Sequence, residues 1–242
     1  MRYAIISDIH ANLEALEKVA ESIEEKKIDH IICLGDLVGY GPNPKECIEY
    51  IHNLANIVLA GNHDYAAVGL TDTNYFNYYA KTAVEWTSTL LNPQEKLLLA
   101  NAPLTHEKGP ATFVHATPRE PAAWDYIMSL EDALANFKHF ESQVCFIGHS
   151  HVPVVLDLNG MKNCKLLKST SVTLEPGHRY IINVGSVGQP RDRDIRASFG
   201  IFDDDMLHFE LVRIEYPVKI TQTKIIQLNL PLFLAERLGK GI

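Results

Sequence analysis

Five apolar runs along the chain stop abruptly at aspartate, asparagine or histidine. Ile31-Ile32-Cys33-Leu34-Gly35-Asp36 ends in Gly-Asp, and four other stretches repeat the pattern. These are Ile5-Ile6-Ser7-Asp8-Ile9-His10, Val58-Leu59-Ala60-Gly61-Asn62-His63-Asp64, Thr112-Phe113-Val114-His115 and Cys145-Phe146-Ile147-Gly148-His149-Ser150-His151. Apolar runs of this length predict buried strands of an α/β sheet, whose ends can converge on one crevice.

The intervening polar-apolar periodicity predicts helices. Asn12 to Lys26 carries Leu13, Leu16, Val19, Ala20 and Ile23 on one face, with Asn12 as cap. Turn residues from Gly39 to Pro44 precede a second helix from Lys45 to about Leu54, and the βαβα order favours a parallel sheet. A mostly helical section follows from Asn74 to Asn101, restarting at Asn92-Pro93-Gln94-Glu95 with a cap, a proline and a glutamate in register. Its aromatics Tyr75, Phe76, Tyr78, Tyr79 and Trp86 either pack the section onto the sheet or form a lid that stacks on a base. Ser129 caps a helix expected to reach Phe140.

From Val152 onward strands predominate: Val152 to Leu158, Tyr180 to Val184, Ser198 to Asp203 and Leu207 to Tyr216. They predict a second, largely antiparallel sheet. Val218 to Leu238 is expected to be helical with an interruption at Pro231. No repeat or low-complexity linker divides the chain, so residues 1–242 are expected to be one domain of two packed sheets with helices outside.

Composition narrows the function. Hydrophobic content of 46% and charged content of 21% are those of a globular protein. Thirty acidic against twenty-two basic residues give a net charge of −8, which disfavours general nucleic-acid binding and requires any anionic substrate to find positive charge locally. The N-terminal residues enter a strand without a signal-peptide pattern and no apolar run is long enough to span a bilayer, so a soluble, cytoplasmic protein without a membrane partner is expected. Cys33, Cys47, Cys145 and Cys164 lack CxxC spacing and read as reduced packing residues.

Asp8 and His10 are two residues apart, as are His149 and His151; on extended backbone such pairs face one way. With Asp36, Asn62 and His115 they make seven candidate ligands of carboxylate, amide and imidazole type, a mixture suited to Mn²⁺, Fe or Zn²⁺, with Mn²⁺ favoured. A purely structural protein would leave these buried groups unpaired at a cost of several kcal/mol. Seven ligands exceed one tetrahedral ion, so two divalent ions sharing Asp36 are expected. Two ions about 3.5 to 4 Å apart suit an in-line displacement at phosphorus. Imidazole ligands must be neutral, so activity is expected to fall on acidification, an ordinary histidine titrating near 6.5.

The ordered set Asp-x-His, Gly-Asp, Gly-Asn-His-Asp, His and Gly-His-x-His resembles the calcineurin-like metallophosphoesterase superfamily over Tyr3 to Arg193. The resemblance implies a sandwich of two mixed sheets flanked by helices. It implies that Asp8, His10 and His151 hold one metal, Asn62, His115 and His149 the other, and that Asp36 bridges them. It also implies that His63 assists the leaving oxygen and that Asp64 orients His63. One departure matters: relatives that are protein phosphatases or symmetrical diadenosine-tetraphosphate hydrolases carry an arginine where Gly39-Tyr40-Gly41 stands here. The chain is closer to the small prokaryotic phosphodiesterase-like branch.

These readings predict a metal-dependent phosphoesterase that cleaves a phosphodiester or phosphoanhydride bond of a small phosphorylated substrate, nucleotides included, by attack of an ion-activated water. A phosphomonoesterase or protein phosphatase is the alternative, and a non-catalytic protein-binding scaffold the alternative from another class. Tyr40 or Trp124 is expected to stack a base. Arg191 and Arg193, in the glycine-containing turn from Asn183 to Arg193, either bind phosphate or pair with the aspartates beside them.

Overall fold

The computed structural model describes all 242 residues. Its first half runs β1 (Arg2–Ile6), α1 (Leu13–Glu24), β2 (His30–Cys33), α2 (Pro44–Leu54), β3 (Ile57–Val58), α3 (Asn62–Ala67), α4 (Tyr78–Leu90), α5 (Pro93–Ala100), β4 (Thr105–Lys108) and β5 (Ala111–Val114). There follow α6 (Leu130–Asn136), β6 (Val144–Ile147), β7 (Val154–Asn159), β8 (Asn163–Leu167), β9 (Ser171–Thr173), β10 (His178–Asn183), β11 (Ala197–Asp203), β12 (His208–Ile214), α7 (Val218–Gln227) and α8 (Leu232–Leu238).

The strands form two mixed six-stranded sheets, ordered β3-β2-β1-β11-β12-β9 and β4-β5-β6-β10-β7-β8. β1, β2 and β3 are parallel, with Tyr3 opposite His30, while β11 runs antiparallel to β1 with Ile5 opposite Gly200. In the other sheet β5, β6 and β10 are parallel, flanked by antiparallel β4 and β7.

Period-two alternation explains the layering. Tyr3 and Ile5 join Phe113, Phe146 and Phe202 between the sheets, whereas Ala4 and Ile6 face outward against Leu16 and Val19 of α1. Phe113 and Phe146 stack at 5.5 Å, and each such buried ring contributes roughly 1.5–3 kcal/mol. The helices begin where their caps stand. Asn12 Oδ1 accepts from the Ala15 N–H at 3.2 Å, and Asn92 and Glu95 exchange hydrogen bonds of 2.9 and 2.7 Å. Ser129 and Asp132 form the same reciprocal pair, at 3.1 and 3.0 Å.

Three differences from the sequence reading have physical causes. The strands that end in candidate ligands are split between the sheets, and β10, β11 and β12 complete both, so no separate antiparallel sheet forms. A continuous apolar run records burial on two faces but not which neighbour provides it. Strands β4, β8 and β9 gave no signal because they are largely exposed and stand at or next to sheet edges, where apolar alternation is absent. The helix expected to reach Phe140 ends at Asn136 because Phe137 and Phe140 turn in beside Ala133 and Cys145.

The C-terminal helices break at Pro231 as expected. Thr221 of α7 lies 3.0 Å from Asn12 Oδ1 and 2.8 Å from Glu14 Oε2, and Leu234 and Leu238 of α8 pack with Tyr40 and Ala83. These helices therefore cover the loop that follows β2.

Candidate metal centre

Each candidate ligand sits just past a strand: Asp8 and His10 after β1, Asp36 after β2, Asn62 at the start of α3, His115 after β5, His149 and His151 after β6. All seven are buried. The two-apart pairs Asp8/His10 and His149/His151 do not lie on extended backbone. Asp8 (φ 55°), His10 (48°), Asp36 (54°), His149 (65°) and His151 (60°) all adopt left-handed backbone, which costs a non-glycine residue roughly 1–2 kcal/mol. The strands have already ended, and a tight turn, not strand alternation, turns both side chains inward.

Cross-loop hydrogen bonds offset that strain. Asp8 N–H donates to the Gly35 carbonyl at 3.0 Å and His10 N–H to the Asp36 carbonyl at 2.9 Å. The His149 N–H donates to the Asp8 carboxylate at 3.0 Å, and the Ser186 hydroxyl to the Asp8 carbonyl at 2.8 Å. Close approach also explains two motif glycines. A Cβ on Gly61 would lie 2.1 Å from Asp36 Oδ1, and one on Gly148 would lie 2.6 Å from Asp8 Oδ2.

The turns bring the ligand atoms together. Asp8, His10 and His151 form one group, Asp36, His115 and His149 another, and His10, Asp36 and His63 a third; within each, the ligand atoms lie within 4.8 Å of one another. Asp36 Oδ2 is 3.5 Å from His10 Nε2 and 3.4 Å from His115 Nε2, so this carboxylate touches both sides of the cluster.

Hydrogen bonding shows that cations fit. His10 Nδ1 donates to the Val38 carbonyl at 3.0 Å and His151 Nδ1 to the Gln189 carbonyl at 2.6 Å. Both Nε2 lone pairs are thereby left facing each other at 3.1 Å, a repulsive arrangement that a positive ion relieves. His149 donates through Nε2 to the Trp124 carbonyl at 2.9 Å, which frees Nδ1. Asn62 Oδ1 and both ring nitrogens of His115 are buried without a protein hydrogen-bond partner, each normally a loss of about 1–3 kcal/mol. Mixed oxygen and imidazole donors of this kind suit a divalent transition ion.

Burial drives His10 and His151 far towards the neutral form and takes His149 down to about 3, so these three have no proton to give up to a cation near neutral pH. Burial also pulls on His115, but the Asp36 charge beside it carries it up to about 9. Burial pushes Asp8 up. It opposes ionisation of Asp36 too, yet His115 and His63 hold that carboxyl below its usual range. Below about 9, therefore, a cation must displace a proton from His115, and apparent affinity should climb as pH rises towards 9. Calorimetric titration with Mn²⁺ in two buffers of different ionisation enthalpy at about pH 7.5 is expected to show net release of about one proton or more. Binding without proton release would contradict a raised His115.

His63 stands at the cleft side, its ring 4.9 Å from that of His10, 4.5 Å from Tyr40 and 4.8 Å from Phe76. Its backbone N–H donates to Asp36 Oδ1 at 2.8 Å, and its Nδ1 has no partner. Asp64 does not touch that ring. Its carboxylate accepts from the Leu37, Val38 and Gly61 N–H groups at 2.9, 3.2 and 3.1 Å, so any orientation of His63 passes through the backbone of α3.

Tyr40 is buried against His10 and His63, with Arg191 and Arg237 over its ring, and is not a free stacking platform. Trp124 donates from Nε1 to Thr71 at 3.1 Å and packs edge-on against Tyr65. The exposed aromatic at the centre is instead Tyr126, stacked on His149 at 4.0 Å. A cleft of about 300 Å³ opens beside His63 and His149, lined by Tyr75, Phe76, Trp124 and Tyr126. Of the α4-flanking aromatics, Phe76 thus packs inward while Tyr75 stands exposed. Arg191 donates to Gln189 Oε1 at 2.8 Å and its charge acts on His10, His63 and His151. Arg193 is exposed and engages only through its N–H, to the Gly241 carbonyl at 2.8 Å. The neighbouring Asp192 and Asp194 pair with Arg213 and Arg196 instead. Val38, Gln189 and Trp124 escaped sequence reasoning because their carbonyls, common to every residue type, orient the histidines. Tyr126 had a signal, an aromatic two residues past Trp124 in the same loop.

A model of the calcineurin-like phosphoesterase superfamily domain matches residues 1–205. The chain is 40% identical over 243 residues to an uncharacterised protein of Methanocaldococcus jannaschii, covering 98% of this chain and 97% of that one. It is 24% identical over 217 residues to the phosphodiesterase YfcE of Escherichia coli, covering 86% and 90%. The crystal structure of a metallophosphoesterase from Sphaerobacter thermophilus superposes with a TM-score of 0.86 at 40% identity, over 100% of this chain and 99% of that one.

Proposed function

The chain belongs to the calcineurin-like phosphoesterase superfamily, and on that premise we propose that it hydrolyses phosphodiester or phosphoanhydride bonds of small phosphorylated molecules, dinucleoside polyphosphates included, with two divalent cations. The mixed carboxylate, amide and imidazole donors suit Mn²⁺, Fe or Zn²⁺, of which Mn²⁺ is the ion proposed. The observation that carries the reading is the opposed His10 and His151 lone pairs at 3.1 Å, beside an Asp36 carboxylate that reaches both histidine groups.

Cations bound there would supply charge to the phosphoryl oxygens and lower the pKa of a water towards about 7. Asp8, His10 and His151 would hold one ion and Asn62, His115 and His149 the other, with the Asp36 carboxylate within reach of both groups. His63, beside the cleft, gives a proton or positive charge to the leaving oxygen, and Asp64 fixes α3 so that the ring stays in place. The free thiols Cys33, Cys47, Cys145 and Cys164 support a reducing, cytoplasmic setting, and no helix is long and apolar enough to cross a membrane.

The cleft supports a phosphorus with two organic or phosphoryl substituents, since one lies over the ions while the other needs this second space. The Escherichia coli relative, a phosphodiesterase, supports the same reading. Steady-state rates on a nitrophenyl monoester, its diester and a dinucleoside polyphosphate test the proposal. The last two are expected to be preferred, and a roughly hundredfold preference for the monoester, about 2.7 kcal/mol in transition-state binding, overturns it.

A further inference from the structure

Two arginines from distant parts of the chain converge on Tyr40, and neither has an Asp or Glu partner. Arg191, in the turn after β10, places its guanidinium carbon 5.6 Å from the Tyr40 ring centre; Arg237, on α8, places its own at 5.8 Å. Arg191 donates only to the Gln189 side-chain carbonyl, at 2.8 and 3.3 Å, and Arg237 only through Nε, to a terminal carboxylate oxygen of Ile242 at 2.6 Å, which leaves both of its NH₂ groups without a protein acceptor. The acidic residues of the same turn are already engaged by Arg213 and Arg196.

Several guanidinium N–H groups are therefore left over at a partly buried place. Burial, reinforced by the Arg191 charge, pulls Arg237 down to about 10. Like charges held together and short of acceptors are costly unless an anion joins them. The pair adjoins the centre, because the ring that carries both lies 4.7 Å from His10 and 4.5 Å from His63.

We propose that Arg191 and Arg237 form a subsite for a second, non-reacting phosphoryl group of the substrate, with the Tyr40 ring as their common support. The inference rests on the phosphoesterase reading and sharpens it. A simple diester has one phosphoryl group and offers this pair nothing, whereas a phosphoanhydride chain offers oxygens in the bidentate geometry a guanidinium prefers. A nucleoside or dinucleoside polyphosphate is thus the substrate class. Half of the subsite comes from α8, beyond residue 205 where the superfamily match ends.

Calorimetric titration of inorganic tripolyphosphate into cation-free protein reads the subsite without turnover. Arg191→Gln and Arg237→Gln are each expected to weaken binding by about ten- to hundredfold, the loss of a charge-assisted interaction. Arg237→Lys, which keeps the charge but not the fork, should lose less. Because the two arginines sit on separate elements, matching losses at unchanged melting temperature exclude a collapse of α8 as the cause. In the metal-loaded enzyme, the ratio of kcat/KM for a dinucleoside polyphosphate over a nitrophenyl diester should fall by a similar factor in either variant. Equal tripolyphosphate affinity in wild type and both Gln variants overturns the subsite. Intact, arginine-dependent tripolyphosphate binding without hydrolysis of any phosphate ester supports the subsite and sinks the catalytic reading instead.

Discussion

An Asp36→Asn protein is expected to lose about a thousandfold or more in turnover and to bind less than its full complement of metal. The substitution keeps size and shape, and its amide oxygen can still accept the His63 N–H that now donates to Asp36 Oδ1 at 2.8 Å. It removes the negative charge that faces His10 Nε2 at 3.5 Å and His115 Nε2 at 3.4 Å. In the proposed reaction several kcal/mol of charge stabilisation at phosphorus would depend on the ions, and each 1.36 kcal/mol is about tenfold in rate. Elemental analysis of protein purified without chelator, beside its rate on the preferred substrate, reads both effects. Full occupancy of two sites at the wild-type rate would show that Asp36 does not hold the ions together.

His63→Ala should behave differently, losing about 10²- to 10⁴-fold in kcat with metal content unchanged. Burial lowers the imidazole to about 4, the Asp36 charge working against that, so the ring is neutral at pH 7 until an anionic group arrives beside it. Its exposed duty would be to the leaving oxygen, which makes the loss depend on the leaving group. A nitrophenolate departs without help, so the penalty should be smallest on nitrophenyl esters and largest on alkyl or nucleoside ones. An unchanged rate on an alkyl diester would remove His63 from the chemistry and strengthen the view of the fold as a protein-binding scaffold.

Much of this candidate centre was legible in the chain because its candidate ligands stand where apolar runs stop. Asp8, Asp36, Asn62, His115 and the His149-His151 pair mark ends of buried strands, and burial of a carboxylate or imidazole demands compensation wherever the strand goes. Which sheet each strand joins was not legible, because Ile31 to Leu34 and Cys145 to Ile147 are apolar on both faces and carry no record of their neighbours. Left-handed backbone at Asp8 and His149 is likewise invisible to residue pattern, since it is stabilised by hydrogen bonds from chain segments far away, such as the Ser186 hydroxyl on the Asp8 carbonyl. Arg191 is a candidate from its turn alone, whereas Arg237 gives no such signal, because an arginine on a helix ordinarily points to water.

The order of the strands has a consequence for biosynthesis. β11 lies inside the first sheet, between β1 and β12, and β10 lies inside the second, between β6 and β7. While the polypeptide is still emerging from the ribosome, β6 presents an unzipped flank until β10 has been made, and β1 one until β11 follows. Such distant pairings cost loop entropy before they repay it, so the newly made chain should mature slowly and lean on chaperones during synthesis.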